Sequence, residues 1–128
     1  EVVADAAALA QGIGAEGKVA VYGIYFDVNK AVVKPESTPA LEQIAKLLAQ
    51  SPKLRLFVVG HTDGTGSAEA NARLSRERAA AVVAALVGRG VAAGRLEPVG
   101  VGSYCPVSTN RSEDGKAKNR RVELVERL

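Results

Sequence analysis

Gly60-His61-Thr62-Asp63-Gly64-Thr65-Gly66-Ser67, followed by Asn71-Ala72-Arg73-Leu74-Ser75-Arg76-Glu77-Arg78-Ala79, is the stretch on which the fold turns. Just upstream, residues 54–59 carry Phe57, Val58 and Val59 in succession, which predicts a strand. Downstream, at about 100° per residue, Ser75, Ala79, Val82, Val83 and Leu86 share one arc. That spacing predicts a helix over residues 68–89, stopped by Gly88 and Gly90. Arg73 and Glu77 point away from the arc. Arg78 lies at its border beside Leu74, where an arginine buries its stem and turns its head to a groove. A strand, a Gly-rich turn with one aspartate and a helix with a border arginine can set one anion and one cation facing a small ligand that carries both charges.

Working outward, residues 18–26 are nearly all β-branched, aromatic or small and read as a strand buried on both faces. Asp27-Val28-Asn29-Lys30 is the loop that leaves it. Pro35 and Pro39 bracket a helix start, with Thr38 as the candidate cap. Leu41, Ile44, Ala45 and Leu48 then follow the amphipathic i, i+3, i+4, i+7 pattern, and Ser51-Pro52 ends it. Residues 95–101 predict a third strand, and residues 102–118 a polar loop with room for one helical turn. Residues 121–126 alternate polar and apolar with one break at Val125, the pattern of a strand with one wet face. Ahead of all this, residues 1–18 are Ala-rich. Leu9 and Ile13 sit at helical spacing there, and Gly12, Gly14 and Gly17 act as breakers, so a short helix that docks or frays is expected. The order β-α-β-α-β-β after an N-terminal helix predicts an α+β two-layer sandwich, a mixed sheet with helices on one face. Residues 1–18 read as a helical extension or linker and residues 19–128 as one domain.

The chain's 128 residues suffice for one domain with a real core. No stretch approaches the ~20 consecutive apolar residues of a membrane-spanning helix. Glu1-Val2-Val3-Ala4-Asp5 lacks a basic n-region, so an intact signal peptide is not expected; a removed signal or a longer parent protein is. A net charge of +3 and a pI near 9.2 suit an anionic polymer without requiring one. Cys105, the single cysteine, rules out an internal disulfide.

Asp63 has two readings. An Asp before Gly often closes a turn on backbone N–H groups; alternatively, at a strand end among small residues, it accepts a ligand ammonium. Gly64, Gly66 and Ser67 present N–H groups near a helix start, which favours an anion. They lack the Lys-Ser/Thr of a phosphate-binding loop. Arg78 is either a surface charge or, through its planar fork, a carboxylate clamp. Asn71 is either a loop tie or a site residue, and Leu74 either core or wall. His61, the sole histidine, has no ligand cluster around it, so no metal or cofactor is expected. Nothing marks Ser67, Ser75 or Cys105 as an activated nucleophile, so no catalysis is expected. Lys116-Ala117-Lys118-Asn119-Arg120-Arg121 is basic but has no aromatic platform, so it reads as a solvated patch and not as a nucleic-acid site.

Over residues 19–128 the chain resembles the OmpA-like C-terminal peptidoglycan-binding domain of the OmpA/Pal/MotB type. Four blocks carry the likeness, in order and at family spacing. They are Ile24-Tyr25-Phe26-Asp27-Val28-Asn29-Lys30, Gly60-His61-Thr62-Asp63, Asn71 through Ala79, and Asn119-Arg120-Arg121-Val122-Glu123. The resemblance implies a non-catalytic module that holds the outer membrane or an envelope protein to peptidoglycan, by way of the diaminopimelate of the stem peptide. On its terms Asp63 takes the ligand's ammonium and Arg78 its carboxylate. Phe26, Asp27 and Val28 line the pocket, Leu74 is an apolar wall, and Thr62 and Asn71 support the turn. Asn119 and Arg121 are structural or rim residues.

Two departures are visible. Val28 is larger and more apolar than usual, which would narrow the pocket, and Gly64 is smaller, which would loosen the turn. The implied place is the periplasm, with any membrane contact made through an upstream barrel, lipid anchor or inner-membrane helix. The alternative is an envelope protein-interaction module with a vestigial pocket.

Overall fold

In the computed structural model, which describes residues 3–128, four strands, β1 (Lys18–Val21), β2 (Leu56–His61), β3 (Leu96–Gly102) and β4 (Arg121–Glu126), form one mixed sheet in the order β1-β4-β2-β3. Strand β1 runs antiparallel to β4. Strand β2 is antiparallel to β4 and parallel to β3. The parallel step from β2 to β3 is made by helix α3 (Ala68–Val87), the crossover that parallel strands require. Helices α1 (Ala6–Glu16) and α2 (Thr38–Gln50) pack with α3 over one sheet face, and α4 (Glu113–Asn119) leads directly into β4. The architecture is the α+β sandwich expected.

The core lies between the sheet and the first three helices. Leu56, Val58, Val122 and Leu124 meet Leu9, Ile13, Ile44, Leu48, Val82 and Leu86 there. From the predicted arc of α3, Ser75, Ala79, Val82 and Leu86 are buried and Val83 half-buried. Helix α3 lies close to the sheet because Gly60 and Gly100 face it. A Cβ on Gly60 would strike the Ser75 carbonyl, and one on Gly100 the backbone nitrogen of Arg76. Helix α1 docks rather than frays. Asp5 caps it by accepting the Ala8 N–H, Gly17 ends it at φ 76°, and Leu9 and Ile13 enter the common core.

Four local expectations need correction. Strand β1 stops at Val21 instead of Phe26, and it is an edge strand, not one buried on both faces. The chain beyond it is held by other partners: the Tyr25 N–H donates to Ser37 Oγ, and the Lys34 N–H donates to the Tyr25 carbonyl. Thr38 does not cap α2. A 3₁₀ turn at Pro35–Ser37 leads straight into the helix. Strand β4 has no wet face over its first four residues: Arg121 and Glu123, on the face expected to meet water, are buried and paired with each other. The loop after β3 holds α4, seven residues long, capped by Ser112 Oγ accepting the Gly115 N–H.

Candidate functional site

Beside the C-terminal end of β2, where the chain turns into α3, lies a cleft of about 300 Å³. Its lining includes Tyr22, Phe26, Gly60, Ser75, Arg78 and Arg120. Asp63 is not itself among the lining residues; its turn adjoins the cleft through Arg120, which is, and is tied down from several sides. The Asn71 side chain donates to the Thr65 carbonyl at 2.9 Å, and Thr62 Oγ1 donates to the Asp63 carbonyl at 2.9 Å. The Thr62 N–H reaches the Gly102 carbonyl on β3. Asn110 Oδ1 accepts both the Gly64 N–H at 3.0 Å and Asn119 Nδ2–H at 2.9 Å. Gly64 therefore does not loosen the turn. Its missing side chain is the space into which the Asn110 carboxamide packs.

Both oxygens of Asp63 are engaged. Oδ1 accepts the Thr65 N–H at 2.8 Å, and Oδ2 accepts from Arg120 Nη1 at 2.7 Å. Burial pushes this carboxyl's pKa up, but the Thr65 and Arg120 hydrogen bonds and the Arg120 charge outweigh it. The net result lies below the ordinary 3.8. Arg120 Nη2 donates in turn to Glu113 Oε2 at 2.6 Å.

Arg78 is half-buried where the helix arc predicted a border. Its Nε donates to the Lys30 carbonyl at 2.9 Å and its Nη2 to the Asp27 carbonyl at 3.2 Å. The guanidinium lies 4.9 Å from the centroid of the Phe26 ring. A guanidinium has five N–H donors. The two carbonyls occupy its side edge, so among the described residues both Nη1 hydrogens and one on Nη2 stay available. Those hydrogens form an end-on fork of the geometry that takes a carboxylate. Burial lowers the pKa of Arg78 below the ordinary guanidinium value, and the charge of Asp63 pulls it back.

The remaining site candidates take up various places. Phe26 lines the cleft as expected. Asp27 serves through its backbone carbonyl, while its exposed carboxylate pairs with Lys34 at 3.2 Å. Val28 is 84% exposed and lies outside the lining, so it does not narrow the cleft. Leu74 is half-buried and also outside the lining. Thr62 and Asn71 lie beneath the turn, both buried. Sequence reasoning missed Arg120, Glu113 and Asn110. The basic run is not merely solvated, since Arg120 reaches Asp63. A signal was present in the adjacent Arg120-Arg121 pair, because successive residues entering a strand point to opposite sides.

On the opposite side of that alternation, Arg121 is buried. It donates from Nε to Glu123 Oε2 at 2.8 Å, from Nη1 to the Asn119 carbonyl and from Nη2 to the Cys105 carbonyl. His61 Nε2 lies 3.6 Å from Glu123 Oε1. Burial above all, then the Arg121 charge, holds the imidazole down at about 4 despite the opposing pull of Glu123. Ser67 caps α3, and Ser75 Oγ bridges the Ala72 carbonyl and the Gly102 N–H, so both hydroxyls have structural employment. Among the described residues no three His, Cys, Asp or Glu side chains group to hold a metal, and no helix is long and apolar enough to cross a membrane.

Together, the fold and this arginine-lined cleft beside the Asp63 turn define a class of small α+β modules with a polar site at a strand-to-helix turn. The sequence profile of the OmpA family matches residues 25–120, and the chain belongs to that family. It is 41% identical over 102 residues to the probable lipoprotein YiaD of Escherichia coli (strain K12), covering 80% of this chain and 47% of that protein. The chain thus spans about half the length of that relative. Its fold matches the crystal structure of the peptidoglycan-associated lipoprotein from Burkholderia pseudomallei with a TM-score of 0.73 and 33% identity, over 88% of this chain and 92% of that one. The cell wall anchor of the T6SS from Pseudomonas aeruginosa matches with a TM-score of 0.73 and 31% identity over 100% of both chains. By their descriptions, these relatives are a probable lipoprotein, a peptidoglycan-associated lipoprotein and a cell wall anchor.

Proposed function

We propose that residues 19–128 form a non-catalytic module that binds peptidoglycan in the periplasm and ties an outer-membrane or other envelope protein to the cell wall. The recognised group is the free end of diaminopimelate in the stem peptide. That end is a zwitterion and needs opposite charges a few ångströms apart. Asp63 takes its ammonium and the end-on fork of Arg78 takes its carboxylate. Phe26 walls the cleft, the Asp27 carbonyl orients Arg78, and Thr62 and Asn71 hold the turn. Val28 and Leu74 flank the site. The observation that carries this reading is Arg78. It is a half-buried cation pinned along one edge by two carbonyls, with its outer edge free and a carboxylate within electrostatic reach.

Each charge-assisted hydrogen bond contributes about 1.5–3 kcal/mol net. After ordering costs, such contacts give roughly micromolar to millimolar affinity for one stem peptide. Durable attachment then comes from many sites on one polymer.

Calorimetric titration with muropeptides carrying diaminopimelate or lysine at the third stem position tests this. Lysine lacks the carboxylate and leaves Arg78 unpaired, a loss of about 1–3 kcal/mol. Equal affinity for the two would remove Arg78 from the role of clamp. No binding to either would favour a protein-interaction module with a vestigial pocket.

A further inference from the structure

Arg120 is the one cation in direct contact with Asp63 among the described residues. Its two terminal nitrogens do not form a fork on one carboxylate. Nη1 holds Asp63 Oδ2 at 2.7 Å and Nη2 holds Glu113 Oε2 at 2.6 Å, so each bond can break without the other. The two carboxylates differ in setting, with the Asp63 side chain 14% exposed and that of Glu113 76%. Arg120, 42% exposed, therefore bridges from the cleft to solvent. Glu113 opens α4 and Arg120 follows its last residue. Seven positions apart, they lie on one face of the helix, about two turns from each other. Asp63 Oδ1 is independently fixed by the Thr65 N–H, so the turn keeps its tie if Oδ2 changes partner.

We propose that Arg120 is a specificity-determining residue that stands in for the ligand's ammonium, holding Asp63 Oδ2 until a ligand cation displaces it and leaves it held by Glu113 alone. This rests on the reading of Asp63 as the ammonium acceptor. The exchange replaces one cation by another, so the carboxylate is never left uncompensated. A ligand without a free ammonium has nothing to offer in exchange and leaves the Asp63–Arg120 pair in place. Arg120 thereby sets how much binding an amine must supply, and Glu113 lowers that requirement because it already holds Nη2 and keeps the guanidinium paired when Nη1 lets go.

The test is calorimetry with a diaminopimelate muropeptide, and with the same muropeptide acetylated on its side-chain amine. It is applied to the parent chain and to Arg120→Gln, Glu113→Gln and Asp63→Asn. Removing a partly exposed competitor ion pair should tighten amine binding by about two- to five-fold in Arg120→Gln. The acetylated ligand should gain nothing. Glu113→Gln, a change at an exposed side chain, should weaken amine binding, because Arg120 then has only Asp63 to hold.

Weaker or unchanged amine binding in Arg120→Gln, with Asp63→Asn clearly impaired, overturns the stand-in role and leaves the ammonium site intact. Parent-like binding in Asp63→Asn overturns the ammonium site and the stand-in role together. If the parent is silent and Arg120→Gln binds, the stand-in role is supported in its strongest form; silence in both overturns both. Should Arg120→Gln melt early, the sign of the Glu113→Gln effect decides alone.

Discussion

The guanidinium of Arg78 rides over the ring of Phe26 at 4.9 Å from its centroid, so the ring that walls the cleft also supports its cation. Phe26→Leu keeps an apolar wall and removes the π face. A cation–π contact of this kind contributes about 0.5–1 kcal/mol, which corresponds to roughly two- to five-fold weaker muropeptide binding. Calorimetry on parent and variant reads this directly, and parent-like affinity would reduce the ring to a passive wall.

Arg78→Lys keeps the charge and should still fail. Two carbonyls, those of Lys30 and Asp27, hold the side edge of the guanidinium while the outer edge faces the cleft. A lysine ammonium is a point donor on a flexible stem and cannot serve both edges. We expect at least a roughly tenfold loss in affinity, about 1.4 kcal/mol, with little change in urea midpoint. Parent-like affinity would show that charge alone suffices.

Acid should weaken binding later than an ordinary aspartate would allow. The pKa of Asp63 is depressed below 3.8 by Thr65 and Arg120 in spite of burial. The carboxylate therefore persists as pH falls to 3.8, and affinity should fall only below that value. The same shift acts on stability. Its contribution is complete above the unfolded pKa and is lost as pH falls through the lower folded one. Carboxyl chemical shifts of Asp63 across this range give the measurement, and a midpoint above 3.8 would contradict the contacts.

His61 gives a second, separable pH effect. Folded, its imidazole takes a proton at about 4; unfolded, at the ordinary 6.5. Between those values the unfolded chain binds the proton and the folded chain does not, so stability should fall as pH drops through this window and level off for this group below it. The groups facing His61 are Glu123, Arg121 and Lys18, of which only Glu123 titrates nearby, with its own pKa held down by Arg121 against the effect of burial. Urea midpoints of the parent should lose ground to those of His61→Gln as pH falls from 6.5 to 4. Parallel curves would place His61 in solvent.

Asn119→Ala should be the costliest of these changes to the fold. The side chain is fully buried, accepts the N–H groups of Val107 and Ser108, and donates to the Ser108 carbonyl and Asn110 Oδ1. Its loss strands buried polar groups and costs about 2–4 kcal/mol. It also frees the carboxamide that holds Gly64. Ligand affinity should fall with stability here, in contrast to Arg78→Lys.

The parts of the fold legible in the sequence were those written in local periodicity. The strand, turn and helix around Asp63 fall within a residue or two of their expected ends, and so does the border position of Arg78. Tyr22 through Phe26 has the composition of a strand, but the Tyr25 N–H goes to Ser37 Oγ and its carbonyl to the Lys34 N–H, partners outside the sheet that composition does not announce. The alternation in β4 suggested water on one side. Its place between β1 and β2, and the pairing of Arg121 with Glu123, are facts of topology. Arg120 stayed hidden for the same reason. Its role depends on Asp63, 57 positions away, and on a helix turn that brings Glu113 back to it.

The last strand in sequence is a middle strand in space. Strands β1 and β2 share no edge until residues 121–126 slide between them. That same stretch is immediately preceded by Asn119 and Arg120, which complete the Asp63 turn. Asp63 and Arg78 both precede the segment that completes the Asp63 turn. A chain cut short before the final strand should therefore lack both the closed sheet and the finished Asp63 turn.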